Sequence, residues 1–62
     1  MTSYKLLKAQ AVADLTSMSR SHLHRLARDG KFPKPIKIGA RATAWVQSEV
    51  QDWIKARISQ QR

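Results

Sequence analysis

A mostly helical domain with one small β-hairpin, in the order helix, helix, hairpin, helix, is what these 62 residues predict. Three observations lead there. Two helical apolar patterns lie on either side of Thr16-Ser17-Met18. A Gly- and Pro-punctuated loop then introduces two short alternating segments around Gly39. A final stretch from Ser48 again repeats apolar residues at helical spacing.

The first helix is expected over about residues 8–15, where Ala11, Val12 and Leu15 form a narrow apolar stripe without an obvious capping side chain. The second follows Ser19, whose hydroxyl suits an N-cap because it can accept from a free amide of the first turn. Leu23, Leu26 and Ala27 share one face at i, i+3, i+4. Gly30 is placed to end that helix in a left-handed conformation, and Pro33 and Pro35 bar its continuation. Ile36-Lys37-Ile38 and Thr43-Ala44-Trp45 then read as paired strands joined by Gly39-Ala40-Arg41, with Lys37 pointing away from the core. Ser48 and Gln51 fit a capping box opening the last helix, whose inward stripe is Val50, Trp53, Ile54, Arg57 and Ile58. The expected core is Leu7, Val12, Leu15, Leu23, Leu26, Phe32, Ile36, Ile38, Trp45, Val50, Trp53 and Ile54.

All 62 residues are expected to form one domain, ordered over about residues 5–58. A chain this short buries only about 60% of its unfolded surface. That leaves little volume for an enzymatic pocket, which needs about 300 Å³ or more. There are no cysteines, so no disulfide framework or thiolate metal site is expected. No apolar run exceeds three residues, as in Ala11-Val12-Ala13, which is too short for a signal core or a membrane span, and a cytoplasmic location follows as the expectation.

Twelve Lys and Arg against four Asp and Glu give a net charge of +8. The charge is concentrated. Residues 20–41 carry Arg20, Arg25, Arg28, Lys31, Lys34, Lys37 and Arg41 against Asp29 alone, while each flanking segment is nearly balanced. Such a patch is the footprint of a polyanion, and nucleic acid is the commonest one.

Helical geometry directs that charge outward. With Leu23 at zero, Ser21, Arg25 and Arg28 fall at about 160°, 200° and 140°, opposite the apolar stripe. Arg20 and His24 flank one edge and His22 the other. Two helices joined by a short turn, the second basic on its outer face, have the sequence form of a helix-turn-helix. In that motif the second helix, here about residues 19–29, enters the DNA major groove. Arg is the usual reader of guanine there. The hairpin, about residues 36–45, would be the wing, reaching the backbone or adjacent minor groove with Arg41 and Lys37.

The run LLKAQAVADLTSMSRSHLHRLARDGKFPKPIKIGARATAWVQSEVQDWIKAR resembles the AlpA-type prophage regulators, a branch of the MerR-like winged helix-turn-helix proteins that also contains phage excisionases. AVADLTSMSRS, LARDGKFPKPIKIG and AWVQSEVQDWI carry the resemblance, which covers Leu6 to Arg57, and GKFPKPIKIG is the most specific part. It implies a bacterial or phage-encoded, nucleoid-associated protein that binds double-stranded DNA at an attachment site or an integrase promoter. It also implies integrase as partner and several copies side by side on DNA. Arg20, Ser21, His24 and Arg25 then fall at recognition-helix positions, as base contacts. Ser19, His22, Arg28, Lys31, Lys34, Lys37 and Arg41 fall to backbone and wing contacts. One departure is Ser17, where the family's turn usually has Gly, so that Ser bears backbone strain or shifts the turn.

Two other classes compete. A basic RNA-binding or ribosome-associated protein shares the charge but needs exposed aromatics for stacking. Of Tyr4, Phe32, Trp45 and Trp53, only Tyr4 is expected outside the core. An enzyme or metal protein needs a ligand set or an acid–base pair. His22 and His24 sit two apart on a helix and diverge by about 200°, and no such constellation emerges. No enzyme activity, cofactor or metal is expected. The mixed-charge tail over residues 55–62 reads first as solubilising and second as a partner contact.

Overall fold

The computed structural model of the protein describes residues 3–61. Its elements are β1 (Leu6–Leu7), α1 (Ala9–Thr16), α2 (Arg20–Arg28), β2 (Ile36–Lys37), β3 (Thr43–Val46) and α3 (Gln47–Gln61). The three helices and the hairpin stand where the sequence predicts them, within a residue or two. The added element is β1, which pairs antiparallel with the far side of β3 and makes a three-stranded sheet of order β1-β3-β2. Among the described residues no helix is long and apolar enough to cross a membrane.

The turn between α1 and α2 is held by backbone geometry. Ser17 adopts φ 59° and ψ 26°, the left-handed region, and its amide and that of Met18 both donate to the Ala13 carbonyl. It is the only non-glycine residue with positive φ among those described. That conformation costs an L-residue about 1–2 kcal/mol, a strain glycine escapes. Glycine gives back part of this gain through the freer unfolded chain. Ser17→Gly is therefore expected to stabilise the fold by about 0.5–1 kcal/mol, raising Tm by several degrees in a thermal melt. A lowered Tm would show that the Ser side chain makes a compensating contact.

α2 is bounded as its residues dictate. The Ser19 side chain accepts from the His22 amide at 3.1 Å. At the other end Gly30 takes φ 76°, with its amide donating to the Ala27 carbonyl and that of Lys31 to the Leu26 carbonyl at 2.8 Å. These two bonds with a left-handed glycine form a Schellman motif.

The core joins Val12, Ala13, Leu23, Phe32, Trp45 and Val50, with Leu7, Ala9, Met18, Leu26, Trp53 and Ile54 packed against it. Two indoles organise the loop after α2. Trp45, fully buried, donates through Nε1 to the Pro33 carbonyl at 2.7 Å. Trp53 donates to the Lys31 carbonyl at 2.8 Å. Phe32 lies between them, edge-on to Trp45 at 6.3 Å and to Trp53 at 4.8 Å. The Arg57 guanidinium covers the outer side of Trp53, 4.9 Å from the ring.

Several expectations about burial, strand facing and capping are corrected. Leu15 is half exposed, because α1 turns Val12, Ala13 and Ala9 inward and leaves Leu15 beyond the edge of that stripe. Ile36 and Ile38 are also half exposed. The register pairs Ile36 with Ala44 and Lys37 with Thr43. Directly opposed residues share a sheet face, and neighbours along a strand alternate. Ile36 therefore lies on the face opposite Trp45, and Lys37 lies on the same face as Trp45, not away from it. Ile58 is half exposed because α3 outruns the core. Finally, α3 begins at Gln47, whose amide donates to the Lys5 carbonyl at 2.8 Å. Ser48 thus sits inside the first turn and is not its cap. Arg62, the end of the tail, lies outside the described residues.

Candidate nucleic-acid interface

Four basic residues of the central third line clefts where α2 approaches the hairpin and the loop before it: Arg28 and Lys34 in one, Arg20 and Arg41 in another. Ser21 and Arg25 are exposed on the outer face of α2, opposite the fully buried Leu23. His24 stands exposed at the wing-facing edge, its ring 5.3 Å from that of Trp45 and tilted by 52°. His22, on the other edge, is partly buried. The two histidines therefore diverge, as their spacing requires. The Ser19 oxygen is engaged with the His22 amide, leaving its hydroxyl proton to donate elsewhere.

Two clefts flank this seam. One, of about 390 Å³, is lined by His24, Ala27, Arg28, Lys34 and Pro35. Its lysine comes from the loop that the two indoles pin, so its position follows from the aromatic core. Arg28 also meets Asp29, Nε to Oδ1 at 3.6 Å, in an exposed pair. Such a pair contributes about 0–1 kcal/mol and is readily exchanged for another anion. Lys31 is exposed, its carbonyl held by Trp53. The second cleft, of about 320 Å³, is lined by Lys8, Ala9, Gln10, Arg20, Arg41, Ala42 and Thr43. Lys37 is exposed on β2 and lines neither cleft.

The predicted cations are thus divided. Arg28 and Lys34 share one cleft with His24, Arg20 and Arg41 share the other, and Arg25 lines neither, exposed on the open helix face. Sequence reasoning missed Lys8. It lies in a nearly neutral segment of the sequence, and its place depends on β1. Leu7 pairs with Trp45, so the next residue begins α1 alongside the hairpin. No local pattern signals that pairing.

Three helices, a backbone-held turn between the first two, and a small sheet beside the second define a small winged-helix-like fold with a basic α2–hairpin seam. The chain matches the family described as Prophage CP4-57 regulatory protein (AlpA) over residues 5–58, and it belongs to that family. It is 36% identical over 59 residues to the uncharacterized protein ORF88 of Enterobacteria phage P4, covering 95% of this chain and 67% of the phage protein. It is also 24% identical over 62 residues to the DNA-binding transcriptional activator AlpA of Escherichia coli strain K12, covering 90% of this chain and 89% of that protein. No solved structure matches it.

Proposed function

We propose that this chain is a sequence-specific, double-stranded DNA-binding protein of a mobile element, acting in the cytoplasm as an excisionase, as a transcriptional regulator of integrase, or as both. The observation that carries the reading is the outward face of α2, with Ser21 and Arg25 exposed and basic clefts at its wing-facing edge. The name of the Escherichia coli relative supports DNA as the ligand. In this reading α2 lies in the major groove and Arg20, Ser21, His24 and Arg25 meet base edges. Ser19, His22, Arg28, Lys31, Lys34, Lys37 and Arg41 serve the backbone, while α3 braces the loop through Trp53. His22 is the weakest of these, being partly buried. Copies bind side by side, with integrase as the partner they position.

The RNA-binding alternative finds no support in the aromatics. Phe32 and Trp45 are buried and Trp53 is bonded to the loop, leaving Tyr4 as the exposed residue of the four. Selection of duplexes from a random library at near-physiological salt tests the reading. An enriched motif, recurring as direct repeats, is the expected result. Tight, steeply salt-dependent binding with no enrichment would reduce the basic face to an electrostatic grip and overturn sequence-specific regulation.

A further inference from the structure

Lys8, Arg20 and Arg41 come from three separate places in the chain and wall one cleft of about 320 Å³. No carboxylate lines it. Among the described residues the only ion pair is Arg28–Asp29, so nothing there neutralises the three cations. All three side chains are exposed, and Lys8 makes no side-chain cap for α1. Folding therefore gains nothing from gathering them, since like charges around one concavity repel. An anion gains a great deal. Thr43 adds a hydroxyl to the same walls, and Gln10, whose Nε2 donates to Asp14 Oδ1 at 3.0 Å, keeps its second amide hydrogen to donate.

The position of Arg20 matters to this argument. It opens α2 at a spacing of four from His24 and eight from Arg28, so all three lie along the edge beside the hairpin. Ser21 and Arg25 share the open face instead. An arginine facing a wing-tip arginine across a cleft is placed for an anion between them, not for a base edge in front of the helix.

We propose that this cleft holds a single phosphodiester group of the duplex backbone, with Lys8, Arg20 and Arg41 as its charged walls. The proposal rests on the DNA-binding reading and changes one assignment within it: Arg20 is a phosphate ligand and not a base reader. Gripping one phosphate from α1, α2 and the wing at once ties the three elements to the backbone through a sequence-independent contact.

The test uses the full chain and its Lys8→Gln, Arg20→Gln, Arg41→Gln and triple variants. Binding is measured over a salt series on a selected duplex and on its scrambled counterpart. Each neutralised phosphate contributes about 0.9 to the slope of log K against log salt. If the three cations share one phosphate, the triple variant's slope becomes shallower by about 0.9. If each has its own, the change is about 2.7. Each single variant should also weaken both duplexes by the same factor. A slope change near the larger value, or an Arg20→Gln loss confined to the selected duplex, overturns the proposal.

A second arm titrates pyrophosphate into the protein without DNA and follows the amide resonances of Gln10, Arg20 and Thr43. If the wild type has no affinity for duplex, the DNA reading fails on its own. Saturable shifts would then assign the cleft to a free phosphate compound and overturn the backbone source. Absent shifts would remove the anion site altogether.

Discussion

Trp45→Ala is expected to leave the chain largely unfolded at physiological temperature. The indole is fully buried at the centre of the core. It packs against Phe32 and His24, and its Nε1 holds the Pro33 carbonyl. Removing a buried aromatic costs about 3–5 kcal/mol. The orphaned Pro33 carbonyl adds about 1 kcal/mol or more where water cannot reach it. A domain of this length has a total stability of only about 3–9 kcal/mol, so the loss takes most or all of it. Trp53→Phe is the informative control. It keeps an aromatic ring against Phe32 and removes the bond to the Lys31 carbonyl, at a cost of about 1 kcal/mol. That corresponds to a Tm lower by about 4–8 °C. Circular dichroism melts separate the two variants. A cooperative transition for Trp45→Ala within a few degrees of wild type would show that the core closes without the indole.

The same tryptophan shows what was readable in the chain and what was not. Its burial follows from alternation with Thr43 and from the apolar segments around it, and α2 is legible from Ser19, the Leu23-Leu26-Ala27 stripe and Gly30 because helix ends are local chemistry. Period-2 alternation in Ile36-Lys37-Ile38 also marks a strand correctly. It does not say which side faces the core. Pairing with Ala44 and Thr43 decides that, and it turns Ile36 away from Trp45. β1 is beyond local reading altogether. Two leucines carry no period, and their partners, Val46 and Trp45, lie some forty residues on. With β1 unseen, the amide of Gln47 had no visible acceptor, and Ser48 was the natural cap to choose. For the same reason Lys8 had no visible neighbours. The basic face of α2 could be drawn from angles on a helix, whereas the cleft that collects Lys8, Arg20 and Arg41 exists only after the sheet has formed.

Arg25→Ala should separate recognition from charge. Arg25 is exposed on α2, lines neither cleft and pairs with no carboxylate, so its truncation leaves the core and both clefts intact. If it reads a base through a bidentate contact, its loss costs about 1–3 kcal/mol on the selected duplex, or about 5- to 150-fold in Kd. The loss on scrambled DNA should be much smaller. Lys34→Ala provides the contrast. Its side chain lines the cleft with His24 and Arg28, and as a phosphate contact its removal should weaken both duplexes alike and lower the salt slope by about one. Fluorescence anisotropy of both variants on both duplexes, at two or more salt concentrations, gives the four losses and the slopes together. Equal losses for Arg25→Ala on the two duplexes would make Arg25 one more phosphate contact. Specificity would then have to come from Ser21 and His24 or from the shape of the DNA. The contrast matters because net charge alone cannot produce it: both variants remove one positive charge, and only their places on the surface differ.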